Sequence, residues 1–139
     1  RYDFTYDPEL RLTGVRNPGG LVWDYRYDPA GRLIAESDFD NRTQQYAHDA
    51  VGHLVSRKTP LGETVSFDYD VLGRPTSKNA AGALTTYAYD IAGRLTEAVS
   101  PHSTLTRDYD TLGRLTAETV DGHTTRYTHD ILGRRTSRT

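Results

Sequence analysis

The chain has 139 residues, a formal net charge of −2, no cysteine and no methionine, and only 35% hydrophobic residues. That apolar share is too small for a thick aliphatic core, and its 17 basic residues are interleaved with 19 acidic ones, which leaves no basic stripe to attract nucleic acid. No apolar run of about eighteen residues is present, so no helical membrane span is expected.

In chain order, the first element reads as a strand in which Tyr2, Phe4 and Tyr6 alternate with polar residues, ending in Tyr6-Asp7-Pro8. A tyrosine or histidine followed by aspartate then returns at Tyr27-Asp28, His48-Asp49, Tyr69-Asp70, Tyr89-Asp90, Tyr109-Asp110 and His129-Asp130, with aspartates 21 residues apart three times and 20 apart three times. Such a fixed period marks one supersecondary unit repeated, each unable to bury its own apolar face without a neighbour. Three residues after each later Asp comes a glycine, Gly31, Gly52, Gly73, Gly93, Gly113 and Gly133, usually followed by arginine at Arg32, Arg74, Arg94, Arg114 and Arg134. Asp-x-x-Gly, with proline second in Asp28-Pro29-Ala30-Gly31, is a type I turn signature: Asp accepts turn amides, Pro presets φ and Gly closes.

Half a period away lies a weaker mark, Gly20, Asn41, Gly62, Gly82, His102 and Gly122, suited to hairpin turns that need positive φ. Turns about every ten residues leave segments of strand length. The segments before each Asp alternate with period two, as in Leu21, Trp23, Tyr25, Tyr27 and in Val65, Phe67, Tyr69, against a polar opposite phase. After the turn, Leu33 and Ala35 share one phase and Ile34 and Glu36 the other, and no face is assigned there. The expectation is an all-β fold over residues 1–139: a single array of about seven antiparallel hairpins in a curled or spiralling sheet. A glycine outside both turn registers, Gly14, is expected to tolerate a side chain better than Gly93 or Gly113.

The residues with reactive chemistry are mostly absorbed by the period. Asp38 and Asp40, Asp68 and Asp70, and Asp108 and Asp110 each share a strand face at about 7 Å, compatible with paired carboxylates, but Asp70 and Asp110 are recurring turn residues. His48, His53, His102, His123 and His129 lack zinc-ligand spacing, and two of them stand in the tyrosine slot. No catalytic residue, cofactor or metal is expected. The arginines are expected to pair within the sheet: each follows an Asp by four positions across the turn, and a neighbouring hairpin can place one unit's Arg beside another's Asp.

Tyr27-Asp28-Pro29-Ala30-Gly31-Arg32-Leu33 and Tyr109-Asp110-Thr111-Leu112-Gly113-Arg114-Leu115 resemble the YD repeat of the Rhs family, and the resemblance covers the whole chain. It implies a large β-sheet spiralling into a hollow shell, as in bacterial Rhs toxins, insecticidal toxin complexes and teneurins, which in bacterial members encloses a C-terminal toxin. The implied partners are the remainder of that shell, the enclosed toxin domain and secretion adaptor proteins. The implied setting is export from a bacterium, type VI secretion included, in interbacterial competition. The motif residues, Tyr6 and Asp7 included, are then structural. The chain departs from the pattern at Leu10 for glycine, His48 and His129 for tyrosine, His53 for arginine, and Pro75 and Arg135 for leucine; no segment resembles the family's self-cleavage region.

A start at Arg1, the absence of methionine and the lack of atypical capping repeats suggest a piece of a longer array. Its open sheet edges are expected to associate with neighbouring structure or with a second copy. The alternative function is a carbohydrate-binding surface module that stacks sugar rings on Trp23, Tyr25 and Tyr27.

Overall fold

The structure, a computed structural model, describes residues 1–139. It contains fourteen strands and no helix. By contacts the chain divides into two units, Arg1–Asp68 and Tyr69–Thr139. The first carries β1 (Asp3–Tyr6), β2 (Leu12–Arg16), β3 (Val22–Tyr27), β4 (Leu33–Ser37), β5 (Thr43–His48), β6 (Leu54–Lys58) and β7 (Thr64–Tyr69), whose last residue falls past the division. The second carries β8 (Pro75–Ala80), β9 (Ala83–Tyr89), β10 (Leu95–Val99), β11 (Thr104–Tyr109), β12 (Leu115–Val120), β13 (His123–His129) and β14 (Arg135–Arg138). Within each unit every strand pairs antiparallel with its successor, and strand order is chain order. The fold is therefore the all-β succession of hairpins that the period implies.

The Asp-x-x-Gly segments are tight turns with one addition. The glycine amide donates to the Asp carbonyl, at 2.9 Å for Gly31, Gly73, Gly93 and Gly113, and the glycines take φ near +80°, for example Gly93 at 82° and Gly113 at 83°. A type I turn followed by a left-handed residue is the bulged hairpin connection. The register accordingly slips by one at the motif aromatic, between Arg26 and Tyr27, Ala47 and His48, and Asp108 and Tyr109. Leu10, in the glycine slot of the first unit, holds φ 63° all the same. At the half period Gly20, Asn41 and Gly62 have positive φ, and Ala81-Gly82 and Asp121-Gly122 form two-residue turns with both φ positive. His102 is the exception: Ser100 closes that turn, its Oγ accepting the Ser103 amide at 3.0 Å, and no left-handed residue is needed.

The bulge explains why the second strand of each hairpin resisted assignment. Counting by twos through the slip, Ala35 lies opposite Arg26 and Glu36 opposite Tyr25, so glutamate shares the aromatic side and alanine the polar one. Ala35, Ala117 and Tyr127 are the only buried apolar residues, at 4%, 3% and 8% exposure, as a single-layer sheet requires. Phe4 and Tyr6 on the outer strand β1, and Tyr2 just before it, alternate as expected but remain more than half exposed. Gly14 has no left-handed backbone, unlike Gly93 and Gly113, but it carries a constraint of its own: it is buried, and a Cβ there would lie 2.7 Å from Thr5 Oγ1.

Candidate functional site

The motif residues converge on one device, repeated along each unit. Each motif Asp uses one carboxylate oxygen for the turn and the other for the side chain four residues on, an arginine in every unit but the one with His53. Asp90 Oδ1 accepts the amides of Ala92 and Arg94, both at 2.9 Å, and Oδ2 accepts Arg94 Nε at 2.6 Å. The same geometry recurs at Asp70 with Arg74 and at Asp110 with Arg114, with Nε 2.6 Å from Oδ2 in both. Asp7 with Arg11 and Asp28 with Arg32 make the same pair at 2.6 and 2.7 Å. At Asp49 the partner is His53, whose Nδ1 lies 2.9 Å from Oδ2. The pairs are thus within one hairpin, across the turn at the spacing of four, and the alternative of one unit's arginine beside its neighbour's aspartate side chain is not the one adopted.

What passes to the neighbour is the far end of the guanidinium. Arg32 Nη1 donates to the carbonyl of Asp49 at 2.7 Å, and Arg114 Nη1 to that of Asp130 at 3.0 Å. The guanidinium also lies over the next motif tyrosine: Arg11 over Tyr27 at 5.1 Å, Arg74 over Tyr89 at 4.9 Å and Arg94 over Tyr109 at 4.7 Å from the ring centroid. That tyrosine returns the contact, its hydroxyl donating to the carbonyl of the residue after the arginine: Tyr27 to Leu12 at 2.8 Å, Tyr89 to Pro75 and Tyr109 to Leu95 at 2.9 Å. Ring, guanidinium and carboxylate thus close a three-part clasp between successive hairpins. Arg94, inside the array, is 32% exposed, whereas Arg134, with no following motif among these residues, is 76% exposed.

These bonds set the acidity of the motif carboxyls. Amide and side-chain hydrogen bonds from the arginine four residues on hold Asp28, Asp70, Asp90, Asp110 and Asp130 below the usual carboxylate range, against the opposing effect of partial burial. At Asp7 and Asp49 partial burial pushes upward, and the bonds from Arg11 and His53 outweigh it. A carboxylate so engaged is a poor general acid or base at neutral pH.

A comparison with curated protein sequences finds no match. The family model described as the RHS Repeat matches residues 6–43, 48–83, 76–105 and 109–139, which is most of the chain. The chain belongs to the RHS repeat family. Among solved structures, its RHS repeats resemble in fold a chain of the Photorhabdus luminescens Tc holotoxin pore with a TccC3 substitution, at TM-score 0.73 and 19% identity over 85% of these residues. They resemble chains of the TcdB2–TccC3–Cdc42 and TcdB2–TccC3 crystal structures at TM-score 0.75 for each, with 17% and 18% identity over 99% and 93% of these residues. The repeats span only 7% to 9% of the length of those chains.

The remaining candidates in the RHS repeats are placed as follows. Asp38 and Asp40 both engage Arg42 Nη2, at 2.7 and 3.1 Å, and Asp70 and Asp110 are occupied by Arg74 and Arg114, so no free carboxylate pair results. His48 fills a tyrosine slot after Arg32, and its buried Nδ1 has no hydrogen-bond partner. Of the proposed sugar platform, Tyr27 is taken up in the clasp with Arg11 and Leu12. Trp23 stacks against Tyr25 with centroids 6.3 Å apart and meets Phe39 edge-on at 5.5 Å, and its indole nitrogen is buried without a partner. On the same face Tyr46 donates its hydroxyl to Glu36 at 2.7 Å; burial, and then that bond, push it up to about 12. Periodicity alone does not reveal the clasp, because the arginine meets a tyrosine fifteen or sixteen residues on and only the strand register brings them together.

Proposed function

We propose that the chain is a non-catalytic wall segment of an Rhs-type secreted toxin, part of a shell that encloses or presents a C-terminal toxin domain. The observation that carries this reading is the clasp: of the residues the repeat keeps, Asp and Gly close each turn and hold the arginine, and Arg and Tyr join one hairpin to the next. Such a chain acts through enclosed volume and repeat geometry rather than through a reactive group. The family match and the fold shared with chains of Tc toxin complexes support it. On this reading the partners are the rest of the shell and the toxin it holds, with secretion adaptors upstream, and the protein leaves the producing bacterium by an export system. Stacking of sugars on Trp23, Tyr25 and Tyr27 is disfavoured as a set, since Tyr27 already carries a guanidinium on its ring.

The test is turnover. The purified chain should hydrolyse neither glycans nor nucleic acids, and Asp90→Asn should alter only stability. Turnover that vanishes on that single substitution, with the far-ultraviolet circular dichroism unchanged, contradicts the reading and makes the protein an enzyme.

A further inference from the structure

In the unit Arg1–Asp68 the half-period turns after β4 and after β6 flank a groove of about 420 Å³ beside Trp23. Its apolar lining is Trp23, Pro60 and Leu61, the last 89% exposed although large and aliphatic. Its polar lining is Glu36, Asp38, Arg42, Gln44, Thr59 and Glu63. Three carboxylates therefore face one guanidinium, and Arg42 is already engaged by Asp38 at 2.7 Å and Asp40 at 3.1 Å. Glu36 is positioned by the Tyr46 hydroxyl, while the exposed Glu63 makes no ion pair.

We propose that this groove receives an arginine side chain from a basic peptide segment of a partner, its guanidinium over Trp23 and hydrogen-bonded to Glu63 and Glu36. The chain itself supplies the precedent. In Arg11, Arg74 and Arg94 a guanidinium is held between an aromatic ring and a carboxylate. The groove offers the ring and the carboxylates, and none of the four guanidinium–aromatic contacts of the fold involves Trp23. Tryptophan is the strongest of the aromatic rings for a cation, and Leu61 can cover the aliphatic stem that arginine carries. Arginine fits better than lysine because its planar fork can stack and donate to a carboxylate at once. A neutral sugar would use the tryptophan but would leave the excess negative charge unanswered.

Trp23 is the only tryptophan, so its fluorescence reports this groove and nothing else. The probe is an acetylated, amidated Gly-Arg-Gly-Arg-Gly peptide, with citrulline replacing arginine as the uncharged control and maltohexaose as the sugar arm. The expected result is a saturable change in fluorescence with the arginine peptide, weaker in high salt, and absent with citrulline and with maltohexaose. Glu63→Gln, at an exposed position whose loss leaves the sheet intact, should weaken binding about fivefold, with circular dichroism unchanged. Equal titration by the citrulline peptide, saturation by maltohexaose with the peptide silent, or no response up to millimolar peptide each overturn the proposal. None of these outcomes bears on the shell reading, which does not depend on the groove.

Discussion

Replacing Arg94 by alanine separates the part of the clasp that joins hairpins from the part that closes a turn. Arg94 and Arg134 make the same bond to their own aspartates, at 2.6 and 2.7 Å, but only Arg94 lies over a following tyrosine, at 4.7 Å from the Tyr109 centroid. Arg134→Ala therefore removes the turn contribution alone, and the difference between the two variants isolates the handover. A guanidinium on a partly covered ring is worth about 0.5–2 kcal/mol, and the aliphatic stem adds packing. Arg94→Ala is thus expected to cost about 1 kcal/mol more than Arg134→Ala in urea denaturation followed by far-ultraviolet circular dichroism. A double-mutant cycle with Tyr109→Leu should return a coupling of about 0.5–1 kcal/mol. Equal losses for the two arginine variants, together with a coupling indistinguishable from zero, refute the clasp.

The same contact predicts a gain elsewhere: His48→Tyr restores a ring beneath Arg32 and removes an unpartnered buried nitrogen, and should raise stability by about 1 kcal/mol in thermal unfolding; a lower midpoint argues against equivalence of the slots. Four non-glycine residues hold left-handed backbone, and two of them, Leu10 at φ 63° and Ala81 at φ 52°, are of types that do not favour it. Leu10→Gly and Ala81→Asn should each stabilise by about 1 kcal/mol, and destabilisation by both would reject the turn geometry. For pH, the motif carboxyls have folded pKa values below their unfolded ones, so their stabilisation is present above the ordinary carboxylate range near about 3.9 and is lost as pH falls through the folded values. The urea midpoint should accordingly stay flat from neutrality to about pH 5 and fall below about pH 4; a constant midpoint down to about pH 3 contradicts it.

The turns were the most legible part of the fold, because Asp-x-x-Gly and Asp121-Gly122 carry their backbone requirements in residue type. The alternation of Trp23, Tyr25 and Tyr27 likewise gave the aromatic face of β3. Faces beyond the turn were not legible, since the bulge at Tyr27 shifts the phase by one and places Ala35 opposite Arg26. The crowding at Gly14 was not legible for a related reason: it comes from Thr5 on the neighbouring strand, nine residues away in sequence. The arginines were foreseen as pairing partners, but the spacing of four to their own Asp was only half of their role. The other half, over Tyr27, Tyr89 or Tyr109, depends on register and is invisible to local pattern.

The proposed wall role places this array within a longer Rhs-type shell, and it is tested most directly in such a full shell by deleting one whole repeat, residues 90–109, and exposing intact and deleted forms to a protease. Removal of two adjoining strands keeps the hairpin alternation but shortens the wall, so the account predicts that the segment following the repeats is protected in the intact protein and digested in the deleted one. Equal protection of that segment in both forms, or equal digestion in both, contradicts a role in containment.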